Sequence, residues 1–198
     1  MVDVQRQRDY SVDWRFISLW ILNEENSQAW YTPEYRAGHF LGHKGLRIAN
    51  AVRLANGGDD DRRSANEVVG RWYTALGEAI HRDARREEAR ADHEAFLAVL
   101  LDDVGLDRSF IADADDESHD AWLRSETELA LSRTGPDVGT PIMTFAPTTD
   151  REASFFGPVI PKAPTGEAAL DLWDAVEKLS RSGVAELKRS LRGTPDFT

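Results

Sequence analysis

None of the 198 residues is cysteine, and that absence removes several kinds of chemistry at once. Structural disulfides, thiolate–zinc sites and a thiol nucleophile belonging to the chain itself are all excluded. Apolar runs are short, none approaching the roughly 20 residues needed to span a bilayer, so no membrane partner is expected. The opening Met-Val-Asp-Val-Gln-Arg-Gln-Arg has no apolar h-region. No secretory signal is therefore expected, and the setting reads as cytoplasmic. Positive charge is scarce as well: 24 Lys and Arg face 35 Asp and Glu, a formal net charge of -11. Phosphate contacts need concentrated Lys and Arg, so no nucleic-acid partner is expected. The arginines of residues 82–90 are interleaved with Asp83, Glu87 and Glu88 and read as a solvated helix face.

What is present suffices for a core. With 41% hydrophobic and 30% charged residues the chain falls among globular rather than disordered sequences. Its length suits one domain, or a small domain carrying a large insertion. Residues 11–22 alternate, with Val12, Trp14 and Phe16 on one face and Asp13 and Arg15 on the other, and this period predicts a strand. From Pro33 to about Arg133 the spacing is helical. One run carries Tyr35, His39, Phe40, Ile48 and Val52 and ends at Asn56-Gly57-Gly58. Ser64-Ala65-Asn66-Glu67 reads as a capping box opening the next helix, with Val69, Trp72 and Leu76 following. A further helix carries Phe96 to Val104 with Gly105 suited to its C′ position, and another carries Trp122 to Leu131 before Gly135-Pro136.

The last third changes character. Asp137-Val138-Gly139-Thr140-Pro141 enters a strand at residues 141–145 through a proline-fixed loop. A second strand is expected over residues 153–160, and the residues between are of hairpin length. Ala168, Leu172, Trp173 and Val176 mark an amphipathic helix from about Gly166, and Val184, Leu187 and Leu191 allow a short final one. The pattern is an α/β domain with an all-helical insertion.

Several motifs resemble, in the same order, those of one known group. They are Ser18-Leu19-Trp20-Ile21-Leu22-Asn23-Glu24, Pro33-Glu34-Tyr35-Arg36, Tyr73-Thr74-Ala75-Leu76-Gly77 with Ile80-His81, and Asp137-Val138-Gly139-Thr140-Pro141. Phe155-Phe156-Gly157-Pro158-Val159, Gly166-Glu167 with Leu172-Trp173, and Glu186-Leu187-Lys188-Arg189 complete the set. The group is the DsbA-like branch of the thioredoxin superfamily, and within it the mycothiol-dependent nitroreductase family. The resemblance implies a thioredoxin-like sheet, with residues 1–32 and 135–198 forming a partial thioredoxin-like domain and residues 33–134 a helical insertion domain. It implies a cytoplasmic oxidoreductase with no bound cofactor, mycothiol as co-substrate, and a small thiol or nitroaromatic-like substrate. Members carry a Cys-Pro-Trp-Cys motif just after the first strand, at the start of the first helix. Residues 2–8 match only the tail of that helix. The first strand and the cysteines therefore lie outside the match, and the polypeptide as written is expected to be inactive. An N-terminal segment missing from the sequence, a sheet that closes over the gap, or a strand lent by another subunit in a homodimer would each account for this.

The resemblance also assigns site residues. The Thr140–Pro141 bond is expected to be cis and to offer the Thr140 backbone to a thiol substrate; the alternative is a plain rigid turn. Asn23 and Tyr35 match polar positions lining the family's cleft, although Asn23 equally suits a strand-end turn. Trp20, Phe155 and Phe156 supply an apolar wall or, alternatively, core packing. His39 and His43 are spaced i, i+4, but no third ligand is evident and a metal is not expected. His81 matches a family position without an assigned role. No Gly-x-Ser-x-Gly elbow occurs, the glycines between Gly38 and Gly45 lack phosphate-loop spacing, and residues 113–117 lack calcium-loop order. Two other readings stay open. One is a cysteine-less binding protein for a small thiol or aromatic ligand, and the other a structural partner completing its sheet by β-augmentation.

Overall fold

The computed structural model describes residues 1–26, 28–189, 191 and 193–196. Helices α1 (Val2–Gln7), α2 (Leu19–Leu22), α3 (Pro33–Ala55), α4 (Arg62–Gly77), α5 (Arg86–Ala91), α6 (His93–Asp103) and α7 (Asp120–Thr134) come first. Strands β1 (Ile142–Phe145) and β2 (Ala153–Phe156) and helix α8 (Gly166–Ser180) follow. A π-helical turn at Glu78–Arg82 continues α4, and 3-10 turns at Arg108–Asp115 and Glu117–His119 lead into α7. The class is mixed α/β. The chain divides into two compact units, residues 12–128 and residues 1–11 with 129–198.

The larger unit is built on α3. Thr32 caps it and Pro33 occupies the first turn, where a missing N–H costs nothing. Ile48 and Val52 of α3, Val69 and Trp72 of α4, Phe96, Leu97 and Leu101 of α6 and Leu123 of α7 form one buried cluster. Each such side chain contributes about 1.5–3 kcal/mol when removed from water. Gly45 sets the α3–α4 approach: a Cβ there would lie 2.6 Å from Leu76 Cδ2. The Gly45 carbonyl accepts the Trp72 indole N–H at 2.9 Å, so the buried ring leaves no donor unmet.

Three sequence expectations are corrected in detail. Residues 11–22 do not form a strand: residues 9–18 are irregular and Leu19–Leu22 is one helical turn. The alternation nonetheless persists in burial, with Asp13 and Arg15 exposed and Phe16 buried. Alternate side chains are held by the helical core, while among the described residues no neighbouring strand supplies a ladder. Helix α4 is capped by Asp61, not Ser64: the Asp61 carboxylate accepts the Ser64 N–H at 3.1 Å and its hydroxyl at 2.8 Å. Finally, residues 184–189 lie outside any helix, with Leu187 and Leu191 65% and 84% exposed. A helix this short is not stable by itself, and these leucines are not packed into a core that would hold one. Gly105 takes its expected place, at φ +68 just past the C-cap of α6.

In the smaller unit β1 and β2 pair antiparallel, Ile142 opposite Phe156 and Thr144 opposite Ser154. Gly157 N–H donates to the Pro141 carbonyl at 2.8 Å, which fixes the ladder phase. Opposed residues alternate between bonded and non-bonded pairs, so Met143/Phe155 and Phe145/Ala153 exchange bonds across the hairpin. Ile142 and Thr144 direct their N–H and C=O groups away from β2, toward an edge of β1 left open among the described residues. The close non-bonded pair Thr144/Ser154 is joined by its hydroxyls at 2.9 Å.

Helix α8 packs on β2 and on α1. Trp173 lies 5.2 Å edge-on from Phe145 and 5.1 Å from Tyr10. Thr165 makes no side-chain cap for α8. Its first amide is met instead by Asp3, whose carboxylate accepts the Gly166 N–H at 2.7 Å. Arg8 completes the attachment with two bonds to the Asp174 carboxylate, at 2.5 and 2.9 Å.

Candidate functional site

The sequence-derived site residues fall in both units, and each unit arranges its own. In the smaller one, the Thr140–Pro141 peptide is cis, as is Gly157–Pro158, and Thr140 and Pro141 are exposed at the entrance to β1. Phe155 and Phe156 are half-buried neighbours on β2. Successive strand residues face opposite ways, so these rings line opposite faces of the hairpin and do not form one wall. Phe156, opposite Ile142, has its ring beside Gly139. Phe155 shares the other face with Met143 and Phe145.

In the larger unit, Asn23 ends α2 and spends its amide locally. Its Nδ2 donates to the Leu19 carbonyl at 2.9 Å, and its Oδ1 accepts from Asn26 at 2.9 Å. That geometry is a turn. Trp20, in the preceding turn, packs 5.0 Å from Phe40. Tyr35 is 57% exposed and stands nearly perpendicular to Trp30 at 6.1 Å, with Trp30 in turn 5.5 Å from Tyr31. His39 backs this group, its Nδ1 3.2 Å from the Tyr31 hydroxyl. Arg36 joins Trp20 to the cluster, its guanidinium 5.7 Å from the Trp20 ring centre and 5.6 Å from that of Tyr31. Burial pushes the Tyr31 phenol up, a rise that the Arg36 charge opposes, and pushes His39 down. Both groups are neutral at pH 7 and act as hydrogen-bonding partners.

A second polar group was not legible in the sequence. His43 is buried, its Nδ1 2.9 Å from the Ser18 hydroxyl and its Nε2 3.0 Å from Asp120. Arg47, one turn further along α3, donates two bonds to the same carboxylate at 2.7 and 2.6 Å. Ser18 accepts from the Ile21 N–H and gives its own N–H to Thr127, so the chain of bonds holds the start of α2 and with it Trp20. Serine, histidine and aspartate in series suggest nucleophilic catalysis, but Ser18 is 1% exposed and engaged as a helix cap. Burial lowers the His43 pKa despite Asp120. At Asp120 burial works upward, but the Arg47 and His43 bonds and charges outweigh it and hold the carboxyl below its usual range.

His39 and His43, spaced as a metal pair, have separate partners in Tyr31 and in Ser18 with Asp120. Asp113, Asp116 and His119 do bring ligand atoms within 4.8 Å of one another. Both imidazole nitrogens of His119 are already used, however: Nδ1 accepts from Asn50 at 3.0 Å and Nε2 donates to Asp113 at 3.1 Å. The cluster is satisfied as a hydrogen-bonded turn. His81 lies in the π-helical turn, 3.2 Å from Arg86.

No helix among the described residues is long and apolar enough to cross a membrane. In comparison with known proteins, the model of the Rv2466c-like family, described as mycothiol-dependent nitroreductase Rv2466c, matches residues 1–189. The chain is also similar to the uncharacterized protein Rv2286c of Mycobacterium tuberculosis (strain ATCC 25618 / H37Rv), 28% identical over 175 residues. That alignment takes in 88% of this chain and 66% of the relative, so the chain spans a little under two thirds of the relative's length. The match along nearly the whole chain places this protein in the Rv2466c-like family of mycothiol-dependent nitroreductases.

Proposed function

We propose that these residues form the substrate-holding part of a thiol-dependent oxidoreductase with a DsbA-like, thioredoxin-type sheet. The observation that carries the reading is the family match over residues 1–189. The edge of β1 beside Thr140–Pro141, which no strand among the described residues covers, supports it, because a further strand belongs there in such a sheet. Each unit has its own part: in the smaller, Thr140 presents backbone to a thiol such as mycothiol, and in the larger, Trp20 and Tyr35 receive a nitroaromatic or similar ring while Asn23 holds the turn that follows Trp20. Phe155 and Phe156 support the Thr140–Pro141 entrance from opposite faces.

The chemistry divides accordingly. Two thiols that close to a disulfide release two electrons and two protons, enough to take a nitro group to nitroso and water. Neither thiol comes from these 198 residues, which contain no cysteine. One is mycothiol's, and the other belongs to a segment or partner bearing the Cys-Pro-Trp-Cys motif. A cytoplasmic setting suits a reducing thiol of this kind. The isolated chain is expected to bind S-methyl mycothiol and 4-nitrobenzamide saturably but to leave the nitro group intact when mycothiol is added. Fusion to a family member's Cys-Pro-Trp-Cys strand and helix is expected to confer turnover. A folded fusion that stays inert, or a chain that binds neither compound, would defeat the proposal.

A second reading has its own support in the open edge of β1. A second copy of the chain that pairs there would give a homodimer with a continuous sheet. Sedimentation showing a monomer at tens of micromolar removes it.

A further inference from the structure

Arg36 is held in place without being paired. Its guanidinium is within cation–π range of both the Trp20 and Tyr31 rings. Yet among the described residues no carboxylate or carbonyl accepts a bond from it. Two acids of the neighbouring segments are engaged elsewhere: Glu24 takes two bonds from Arg124, and Glu34 is held by the Thr32 hydroxyl. Arg36 is exposed, and beside it stand the exposed rings of Trp30 and Tyr35.

We infer that Arg36 recognises an oxyanion, a carboxylate in the first instance, carried on a planar aromatic ligand whose ring lies against Trp30 and Tyr35. A planar guanidinium offers two parallel N–H donors that match a carboxylate. The two aromatic faces restrict its rotation, so little side-chain freedom is lost on binding. The net charge of -11 opposes anions at long range, so recognition depends on the short contact rather than on steering. The inference rests on the aromatic-site reading above and adds a charge requirement to it. Mycothiol, whose sugar and amide portions are uncharged, does not meet that requirement.

The test compares 4-nitrobenzoate with its neutral analogue 4-nitrobenzamide, titrated calorimetrically into the intact chain at pH 7.5. The carboxylate is expected to bind at least five-fold more tightly. Arg36→Gln is expected to weaken the carboxylate about ten-fold and the amide less than two-fold, erasing the preference. Arg36→Lys, which keeps the charge but loses the fork, is expected to fall between. Equal binding of the two ligands by the unaltered chain, or a preference that survives Arg36→Gln in a variant of unchanged melting temperature, overturns the assignment of Arg36 alone. Failure of both ligands to bind overturns the aromatic site and this inference together.

Discussion

Replacing Asp120 with Asn tests whether the buried His43–Asp120–Arg47 group holds the helical unit together. The substitution preserves shape and removes the charge. It leaves Arg47, whose side chain is 5% exposed, with an uncompensated guanidinium and one weaker acceptor. Breaking a fully buried pair from one side costs about 3–5 kcal/mol. Asp120 itself retains 33% side-chain exposure, so water screens part of the loss. We expect about 2–3 kcal/mol, equivalent to roughly 5–10 °C in melting temperature for a chain of this size. Arg47→Met alone is expected to cost less, because the carboxylate it strands can reach solvent. The double variant is expected to recover about 1–2 kcal/mol of the Asp120→Asn loss, since no buried charge is then left unpaired. Urea unfolding followed by fluorescence and by circular dichroism reads both quantities, and agreement of the two probes checks that the unit unfolds in one step. Purely additive losses in the double variant, or an Asp120→Asn cost below about 0.5 kcal/mol, would refute the account.

Two further outcomes follow from the same unit. Burial lowers the His43 pKa, so between the folded value and the unfolded value of about 6.5 the unfolded chain binds more protons. Its contribution to stability is therefore complete above about pH 6.5 and lost as pH falls through the folded value. The facing charges Asp120, Arg47 and Arg124 set where that loss lies. His43→Gln should flatten the stability profile between pH 5 and 7 in urea titrations, leaving a residual slope from His39, His81 and His93, which burial also lowers. An unchanged slope would exclude His43 as a source. Gly45→Ala should destabilise by about 0.5–2 kcal/mol, the crowding of Leu76 exceeding the gain in helix propensity. Adding Leu76→Ala should then cost less than it does alone, and thermal melts showing Gly45→Ala to be stabilising would contradict the tight α3–α4 contact.

What could be read from the sequence was local. The helical runs through Val69 and Trp72, through Phe96 and Leu101, and the hairpin ahead of α8 each carry their signal within a dozen residues. The alternation of Val12, Trp14 and Phe16 was also real, but a period of two reports which side chains are covered, not whether a strand lies alongside. Asp61 outcompeted Ser64 as a cap because it stands three residues earlier, next to the helix that forms. The polar group around His43 escaped because its members lie far apart, 25 residues between Ser18 and His43 and 77 between His43 and Asp120. A trace of it was available: His43, Arg47 and Asn50 fall among the apolar positions of α3, where buried polar residues need partners from elsewhere. Arg36 left no such trace, since its role depends on two rings that arrive from other turns of the chain.

The attachment of α1 to α8 has a consequence for how the smaller unit comes apart. Asp3 meets the first amide of a helix that begins 163 residues later, and Arg8 clasps Asp174 in its third turn. Neither helix is long enough to persist alone in water. Fraying of α1 is thereby transmitted to α8, and both should exchange their amide hydrogens in a single opening event. Two helices from distant parts of the sequence behave as one clasp.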